Sequence, residues 1–158
     1  MLLTPHTMVG IAIGATTQNP LLTVPLSIAS HFAGDLVPHW DFYSNTKKEE
    51  RIVGWRPLAL MADIALGIAI GLTTTLYALW VLKNPMLAIN VFLGGVGAVL
   101  PDVIEAPHIY MKEEPKFVEA VAKVQSRLQF QAPLPWGIIS QVLVMLISFL
   151  ISANSLGL

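Results

Sequence analysis

Histidines and carboxylates stand close to the ends of the long apolar stretches of this chain, where most neighbouring side chains are aliphatic. Two of them, His31 and Asp35, are four residues apart and would share one face of a helix, about one turn from each other. A histidine nitrogen and a carboxylate oxygen spaced in this way can bind one divalent metal ion together. The pair therefore predicts the first half of a metal site.

Other residues of the same types are expected to complete this site. The predicted ligands are His6, His31, Asp35, His39, Asp63 and Asp102. Additional candidates are Asp41, Glu105 and His108. Because calcium prefers oxygen ligands alone, a mixture of histidines and carboxylates favours zinc, manganese or iron, with zinc as the first choice. A set larger than four ligands leaves room for one or two ions.

A metal-bound water at such a site would be a nucleophile for the hydrolysis of an ester or phosphoester. Asp35 and Asp63 are the predicted catalytic residues, as bridging ligands or as acceptors of a proton. Simpler interpretations exist as well: His6 could cap the first helix, and Asp41 could be a solvated loop residue. Ionisable side chains inside a membrane span are functional by default, which favours the metal site.

The composition is typical of a membrane protein. Only 12% of the 158 residues are charged, against roughly 25% in soluble domains, and the mean hydropathy is +0.66. Residues 1–34, 84–101 and 128–158 carry no charged side chain. A net charge of −1 gives no electrostatic reason to expect a nucleic-acid partner. Because the chain has no cysteine, disulfides and thiolate metal sites are excluded.

The apolar runs are long enough for membrane helices, which need about 20 residues to cross a bilayer core of about 30 Å. The predicted fold class is an all-α integral membrane protein. Its helices, about five in number, are expected at about 5–18, 20–37, 57–82, 85–103 and 134–155. The pairs Asn19-Pro20 and Asn84-Pro85 predict tight turns, because proline is favoured in the first turn of a helix.

We expect a single domain over residues 1–158. Its parts are a helical hairpin at 1–43, a second hairpin at 57–110, an interfacial amphipathic helix at 115–130 and a C-terminal transmembrane helix at 134–155. The amphipathic helix is predicted from apolar residues that recur at helical spacing, namely Phe117, Val121, Val124 and Leu128. It would lie on the membrane surface or cap the bundle.

The two hairpins resemble each other in sequence. The segment GIAIG occurs at 10–14 and again at 67–71, each time four residues after a polar residue, His6 or Asp63. Each copy leads to an Asn-Pro turn and then to a helix that ends in GDLVPH or GAVLPD. We therefore predict a tandem duplication, although short strings of small residues also recur by chance in membrane helices.

The hairpins also predict the topology. Each one leaves and returns, so the candidate ligands converge on one side of the membrane, together with the connections at 44–56 and 111–130. All basic residues except Lys83 lie in these two connections. The positive-inside rule then places the site at the cytoplasmic face, most simply of a prokaryotic inner membrane.

Three stretches, TPHTMVGIAIG, GDLVPHWD and GAVLPDVIE, resemble a family of small inner-membrane metal-dependent hydrolases that includes a LexA-binding membrane protein. Members carry a Thr-His pair before a glycine-rich helix and a helix end of the form LPDxD. By this resemblance, His6 matches the early histidine and Asp41 the second aspartate, while His39 replaces the first. Asp102 keeps the Pro-Asp pair of the second hairpin. The resemblance covers most of the first 110 residues and implies metal-dependent hydrolysis.

A shorter stretch, HFAGDLVPHW, is similar to the HxxGDxxxPxH segment of zinc-dependent phospholipases C and related nucleases. In that resemblance His31 and Asp35 match a histidine and an aspartate that one helix supplies to a multi-zinc phosphoesterase site. The similarity spans ten residues and implies the same class of chemistry as the longer one.

The expected function is therefore a divalent-metal-dependent hydrolase that acts on a lipid ester or phosphoester at the membrane interface. The alternative is a divalent-cation or proton transporter or channel that uses the same residues. Few polar residues lie near the Asn-Pro turns, which favours a one-sided site over a path across the membrane. A scaffold that binds metal only for stability is a third interpretation, and the sequence leaves a homo-oligomer open.

Overall fold

The computed structural model describes residues 1–44, 46–47, 50–111 and 113–158, and only the backbone of Tyr110. Lys48 and Lys112, which contribute to the predicted charge asymmetry, lie outside this part of the chain. The described residues form six helices and no β-strand. These are α1 (Leu3–Thr17), α2 (Pro20–Asp35), α3 (Arg56–Leu76), α4 (Pro85–Tyr110), α5 (Lys116–Leu128) and α6 (Trp136–Leu156). The all-α prediction is confirmed, and the helix beyond the five apolar ones, α5, lies where the amphipathic helix was predicted.

Three of the helices are long and apolar enough to cross a membrane. They are α3, which continues through a π-helical turn at Tyr77–Val81, α4 and α6. The other two apolar helices are shorter, since α1 has 15 residues and α2 has 16. The prediction of a membrane protein is thus supported by length and composition, and the two helices of the first hairpin fall below the length of a full span.

The predicted Asn-Pro turns begin two of the helices. The side chain of Asn19 accepts a hydrogen bond from the backbone N–H of Leu21, and Pro20 is the first residue of α2. The side chain of Asn84 likewise accepts from the N–H of Leu87, and Pro85 begins α4. Both asparagines satisfy helix N–H groups that have no partner inside the helix.

Helix α1 lies at the centre and contacts α2, α3, α4 and α6, with its most extensive contact against α4. Glycines make this approach possible. A Cβ atom on Gly10 would collide with the backbone of Gly94, and one on Gly14 would collide with the backbone of Asn90. The tightest pairing therefore joins the two predicted hairpins to each other, as small residues do in membrane bundles.

Helix α5 caps one end of the bundle against α4 and α2, and the predicted apolar stripe takes part only partly, since Val121 and Leu128 are half-buried. Its buried residues are Val118, Ala122 and Gln125, whereas Phe117 is 63% exposed. The buried row of residues lies next to the predicted apolar row on the helix surface. The row that packs against the bundle is the one that contains the small Ala122 and the amide of Gln125. Phe117 and Val124 are left on the surface of the helix, where an interfacial helix would contact lipid.

Candidate metal centre

The site begins on the buried face of α2, which is polar along its whole length. The buried residues of this helix follow one another at intervals of four and are Thr23, Ser27, His31 and Asp35. A helix inside an apolar bundle normally buries its aliphatic side chains, and here those side chains face outward instead. The arrangement delivers His31 and Asp35 together to the end of the bundle that α5 covers.

His31 is held in the orientation that a metal ligand requires. Its Nδ1–H donates to the carbonyl oxygen of Ala98 on α4 at 2.8 Å, so that Nε2 keeps its lone pair. A histidine ligand commonly donates its other ring N–H to a backbone carbonyl in this way. The Nε2 atom lies 3.5 Å from Oδ2 of Asp35 and 3.5 Å from Oδ1 of Asp102. His31 is fully buried.

His6 on α1 brings a second imidazole to the same point. Its ring stacks on that of His31, with the two centroids 4.1 Å apart, and its Nε2 lies 3.2 Å from Oδ1 of Asp35. Ligand atoms of His6, His31 and Asp102 all lie within 4.8 Å of one another. Three helices thus supply one candidate metal ligand each, and we call these three residues the His6/His31/Asp102 triad.

Asp35 is buried against the triad. Its Oδ1 accepts from the amino group of Met1 at 2.5 Å as well as facing His6. Its Oδ2 makes no hydrogen bond to any group in the described part of the chain. A buried carboxylate oxygen without a donor is costly, because the group has lost its water. A cation beside it would supply the missing interaction.

Gln125 on α5 is the site residue that the sequence did not reveal. Its Nε2 donates to Nε2 of His31 and to Oδ1 of Asp102, both at 3.0 Å, and the side chain is fully buried. Its Oε1 has no hydrogen-bond partner among the described residues. The amide occupies the space between two metal-ligand candidates. A polar residue in register with the buried Val118 and Ala122 was the only signal in the sequence.

His39 lies close by but outside the triad. Its Nδ1–H donates to the carbonyl oxygen of Val37 at 2.8 Å, and its Nε2, 3.9 Å from Oδ2 of Asp41, has no hydrogen bond within the described residues. Burial lowers the pKa of His39 below its usual 6.5, which keeps the imidazole neutral. His39 therefore offers a lone pair beside the triad rather than within it, whereas Oδ1 of Asp41 accepts from the N–H of Tyr43 at 2.7 Å.

Asp63, predicted as a ligand and catalyst, instead contacts the start of α1. Its Oδ2 accepts from the N–H of Leu3 at 2.7 Å, and its Oδ1 accepts from the N–H of Thr4 at 3.2 Å. A carboxylate at a helix N-terminus satisfies free N–H groups and is favoured by the helix dipole. This carboxylate fixes the position of α1, which carries His6, and its catalytic role stays a prediction.

The remaining candidates lie further along α4. His108 is paired with Glu114, with Nδ1 2.7 Å from Oε1, and its side chain is one-third exposed. Glu105 lies one turn before this pair and lines a cavity beside the triad. These two residues are not brought into the His6/His31/Asp102 triad.

A cavity of about 280 Å³ opens beside the triad, and we call it the interface cavity. Its charged lining residues are Asp41, Arg51, Asp63, Asp102 and Glu105. Aliphatic side chains such as Leu60, Ile64 and Ile109 form much of the remaining wall. A pocket that is mostly apolar with a few convergent polar groups is typical of a site for a small molecule.

Comparisons with models of protein families, with curated proteins and with solved structures gave no match to this chain.

The donor set fits a divalent transition metal. Neutral imidazole nitrogens and carboxylate oxygens are the ligands that zinc, manganese and iron share. The lone pairs of Asp35 Oδ2 and Gln125 Oε1 are buried and have no donor among the described groups. The residues that could hold an ion are His6, His31 and Asp102, with Asp35 in contact.

Proposed function

We propose that this protein is a membrane-embedded, divalent-metal-dependent hydrolase. The observation that carries the proposal is the convergence of ligand atoms of His6, His31 and Asp102 within 4.8 Å. Such a group, with His6 and His31 buried and Asp102 one-third exposed beside a cavity with a mixed polar and apolar wall, is what a metal-dependent hydrolytic site needs. Membership in the family of small inner-membrane hydrolases is part of the same proposal and rests on the segments that carry His6, Asp41 and Asp102.

We assign different tasks to the side chains. His6, His31 and Asp102 would hold one ion, which would supply a bound water of lowered pKa as nucleophile. Asp35 contacts both imidazoles, and its Oδ2, which accepts no hydrogen bond from the described groups, is the oxygen that would take the proton from that water. Asp63 would act through α1, since its carboxylate fixes the segment that precedes His6.

The position of the site supports a lipid as the proposed substrate. The triad lies where α1 begins and α2 ends, against α5, whose exposed Phe117 and Val124 favour a position near lipid headgroups. A carboxylic ester or phosphoester of a membrane lipid would reach the interface cavity directly from the bilayer. Basic residues concentrated in the connections on this side favour the cytoplasmic leaflet of a prokaryotic inner membrane.

The test uses the purified full chain in detergent micelles with p-nitrophenyl palmitate and p-nitrophenyl hexadecyl phosphate as substrates. We expect nitrophenol release from at least one of them that needs zinc or manganese, stops with a chelator and is lost in Asp35→Asn. Asp35→Asn is expected to keep its metal. If the variant lost its metal, its inactivity would be explained by that loss, and a role for Asp35 as proton acceptor would be contradicted. Failure of the wild-type protein to hydrolyse either substrate with zinc or with manganese would contradict the proposal.

A second candidate function is favoured by the polar face of α2. Asp35, His31, Ser27 and Thr23 form a stripe that continues to Asn90, whose Oδ1 accepts from Thr23 at 2.8 Å. Ser27 Oγ has no hydrogen bond within the described chain. Such a stripe could pass protons or cations between the two ends of the bundle. Neither of the two cavities that adjoin α3 is lined by Thr23, Ser27 or Asn90, the part of the stripe that lies away from the triad, which favours the hydrolase.

Reconstitution into liposomes separates the two functions. A conducting protein would dissipate a proton or zinc gradient, and Ser27→Ala would slow the flux while Ser30→Ala, outside the buried stripe, would not. The hydrolase proposal predicts that wild-type protein leaves both gradients intact.

A further inference from the structure

A second cavity lies beside the interface cavity, in the apolar part of the molecule. It has a volume of about 210 Å³ and runs between α3 and α4, and we call it the α3/α4 groove. Leu3, Ile64 and Val103 line both cavities, so the groove adjoins the interface cavity directly. Its own wall is aliphatic and aromatic, with residues such as Ile68, Leu72, Phe92 and Val96.

The groove has the length of a lipid chain in one leaflet. It extends from Ile64 to Leu72 on α3 and from Val103 to Val91 on α4. At a rise of 1.5 Å per residue these stretches are about 12 Å and about 18 Å long. Half of a bilayer core of about 30 Å is of the same order. The groove thus runs from the interface towards the middle of the membrane.

Helix packing requires only one of the three glycines that line the groove: a Cβ atom on Gly67 would lie 2.7 Å from Leu3 Cδ2, whereas Gly71 and Gly95 have room. A Cβ atom on Gly71 would meet only Thr7 Cγ2, at 3.7 Å, and one on Gly95 would meet Thr7 Cγ2 at 3.6 Å and Ile11 Cγ1 at 3.7 Å. These are ordinary contacts, in contrast to the collision of a Cβ on Gly10 with the backbone of Gly94. Glycine is the poorest helix former after proline. At these two positions its effect is to keep the groove open.

We infer that the α3/α4 groove holds the hydrocarbon chain of the substrate while the ester or phosphoester lies in the interface cavity beside the triad. The inference rests on the proposed function and narrows its substrate to an amphiphile with a chain that enters between α3 and α4. Helix α3 is largely unburied within the protein, so lipid can reach the groove sideways from the bilayer. Asp102 and Glu105 then face the head of the molecule, and Phe92 and Val96 face its tail.

Photolabelling of the full chain tests this placement without any need for turnover. The protein is placed in nanodiscs of dioleoylphosphatidylcholine that contain a small fraction of palmitoyl lysophosphatidylcholine with a diazirine near the methyl end of its chain. After irradiation, labelled peptides are located by mass spectrometry. We expect labels to concentrate on the groove-lining residues of α3 and α4 rather than on α6, whose exposed aliphatic surface serves as the internal reference.

Substitutions fill the groove while sparing the triad. Gly71→Leu and Gly95→Leu place a side chain in the open space and are expected to reduce labelling of the groove by about tenfold, or ~1.4 kcal/mol. Ala69→Leu adds the same bulk at an exposed position of α3 that does not line the groove, and labelling should persist. The melting temperature shows whether each variant still folds. An equal reduction of labelling in both groove variants excludes a local distortion at one position as the cause.

The outcomes separate this inference from the function on which it rests. Groove labelling that the leucine variants abolish supports the chain site whether or not the wild-type protein carries metal, and metal content is measured on the same samples. Metal-dependent hydrolysis with labels spread evenly over α3, α4 and α6 would overturn the chain site and leave the hydrolase standing. Equal labelling of wild type and both leucine variants would overturn it as well.

Discussion

The Nε2 atom of His31 lies 3.5 Å from Oδ1 of Asp102, although the two residues come from different predicted hairpins and are 71 positions apart in the chain. Between them sits the amide nitrogen of Gln125, which donates to both. A group with two N–H donors thus contacts the same lone pairs that a metal ion would use. Gln125 and a bound ion are therefore expected to compete.

Replacement of Gln125 by leucine tests this competition. Gln125→Leu keeps the size of the side chain but leaves His31 and Asp102 without their donor, which should destabilise the metal-free protein by about 1–3 kcal/mol. Because zinc would satisfy the same lone pairs, zinc should raise the melting temperature of the variant more than that of wild type. Ser126→Ala, an exposed change on the same helix, should alter neither value. An equal zinc effect on all three proteins would contradict the competition.

The contact between Gly10 and Gly94 predicts a sharp difference between two identical substitutions. Gly10→Ala would push a methyl group into the backbone of α4, and overpacking of this kind costs about 1–3 kcal/mol. Gly71→Ala, in the other GIAIG segment, would place its methyl group 3.7 Å from Thr7 Cγ2 and should raise stability by about 0.4–1 kcal/mol, because alanine is the better helix former. Thermal unfolding in detergent measures both, and equal losses would show that the helices α1 and α4 do not pack as described.

The role of Asp63 can be separated from ligation by Asp63→Asn. An amide oxygen can accept from only one of the two N–H groups at Leu3 and Thr4 without turning its NH₂ towards the other. We expect a loss of about 1–3 kcal/mol of stability with the metal content unchanged. Loss of the metal without loss of stability would make Asp63 a direct ligand.

The stripe on α2 gives a prediction that bears on the rival function. If the stripe is structural, Ser27→Ala removes a buried hydroxyl that has no hydrogen bond within the described residues, and the protein should be as stable as wild type or slightly more so. Its rate of lipid-ester hydrolysis should also be unchanged, because Ser27 lies one turn away from His31 and outside the triad. A large fall in hydrolysis would instead indicate that the stripe supplies or removes protons.

Much of the arrangement follows from local patterns in the sequence. Any helix over this segment brings His31 and Asp35 together, because they are four residues apart. The return of each hairpin then brings Asp102 to the same end of the bundle as His6. Apolar length indicated the spans α3, α4 and α6, and the Asn-Pro pairs marked the starts of α2 and α4. These features depend on periodicity and turn chemistry, which a single segment carries by itself.

Other features depended on which surfaces meet, and no single segment carries that information. The sequence shows no partner for the carboxylate of Asp63, but the start of α1 packs against it, and both of its oxygens accept hydrogen bonds from backbone N–H groups there. Gln125 is one of several polar residues on α5 until the bundle buries the stripe that contains it.

The most direct test of the metal site is elemental analysis of the protein purified without chelator, together with zinc titration of the metal-free form. We predict about one zinc or manganese per wild-type chain, and loss of that metal in His31→Ala and His6→Ala. His108→Ala, which removes a histidine paired with Glu114 outside the triad, should keep the full metal content. A wild-type protein that carries no metal and takes up no zinc would contradict the central claim, as would a loss of metal in His108→Ala equal to that in His31→Ala.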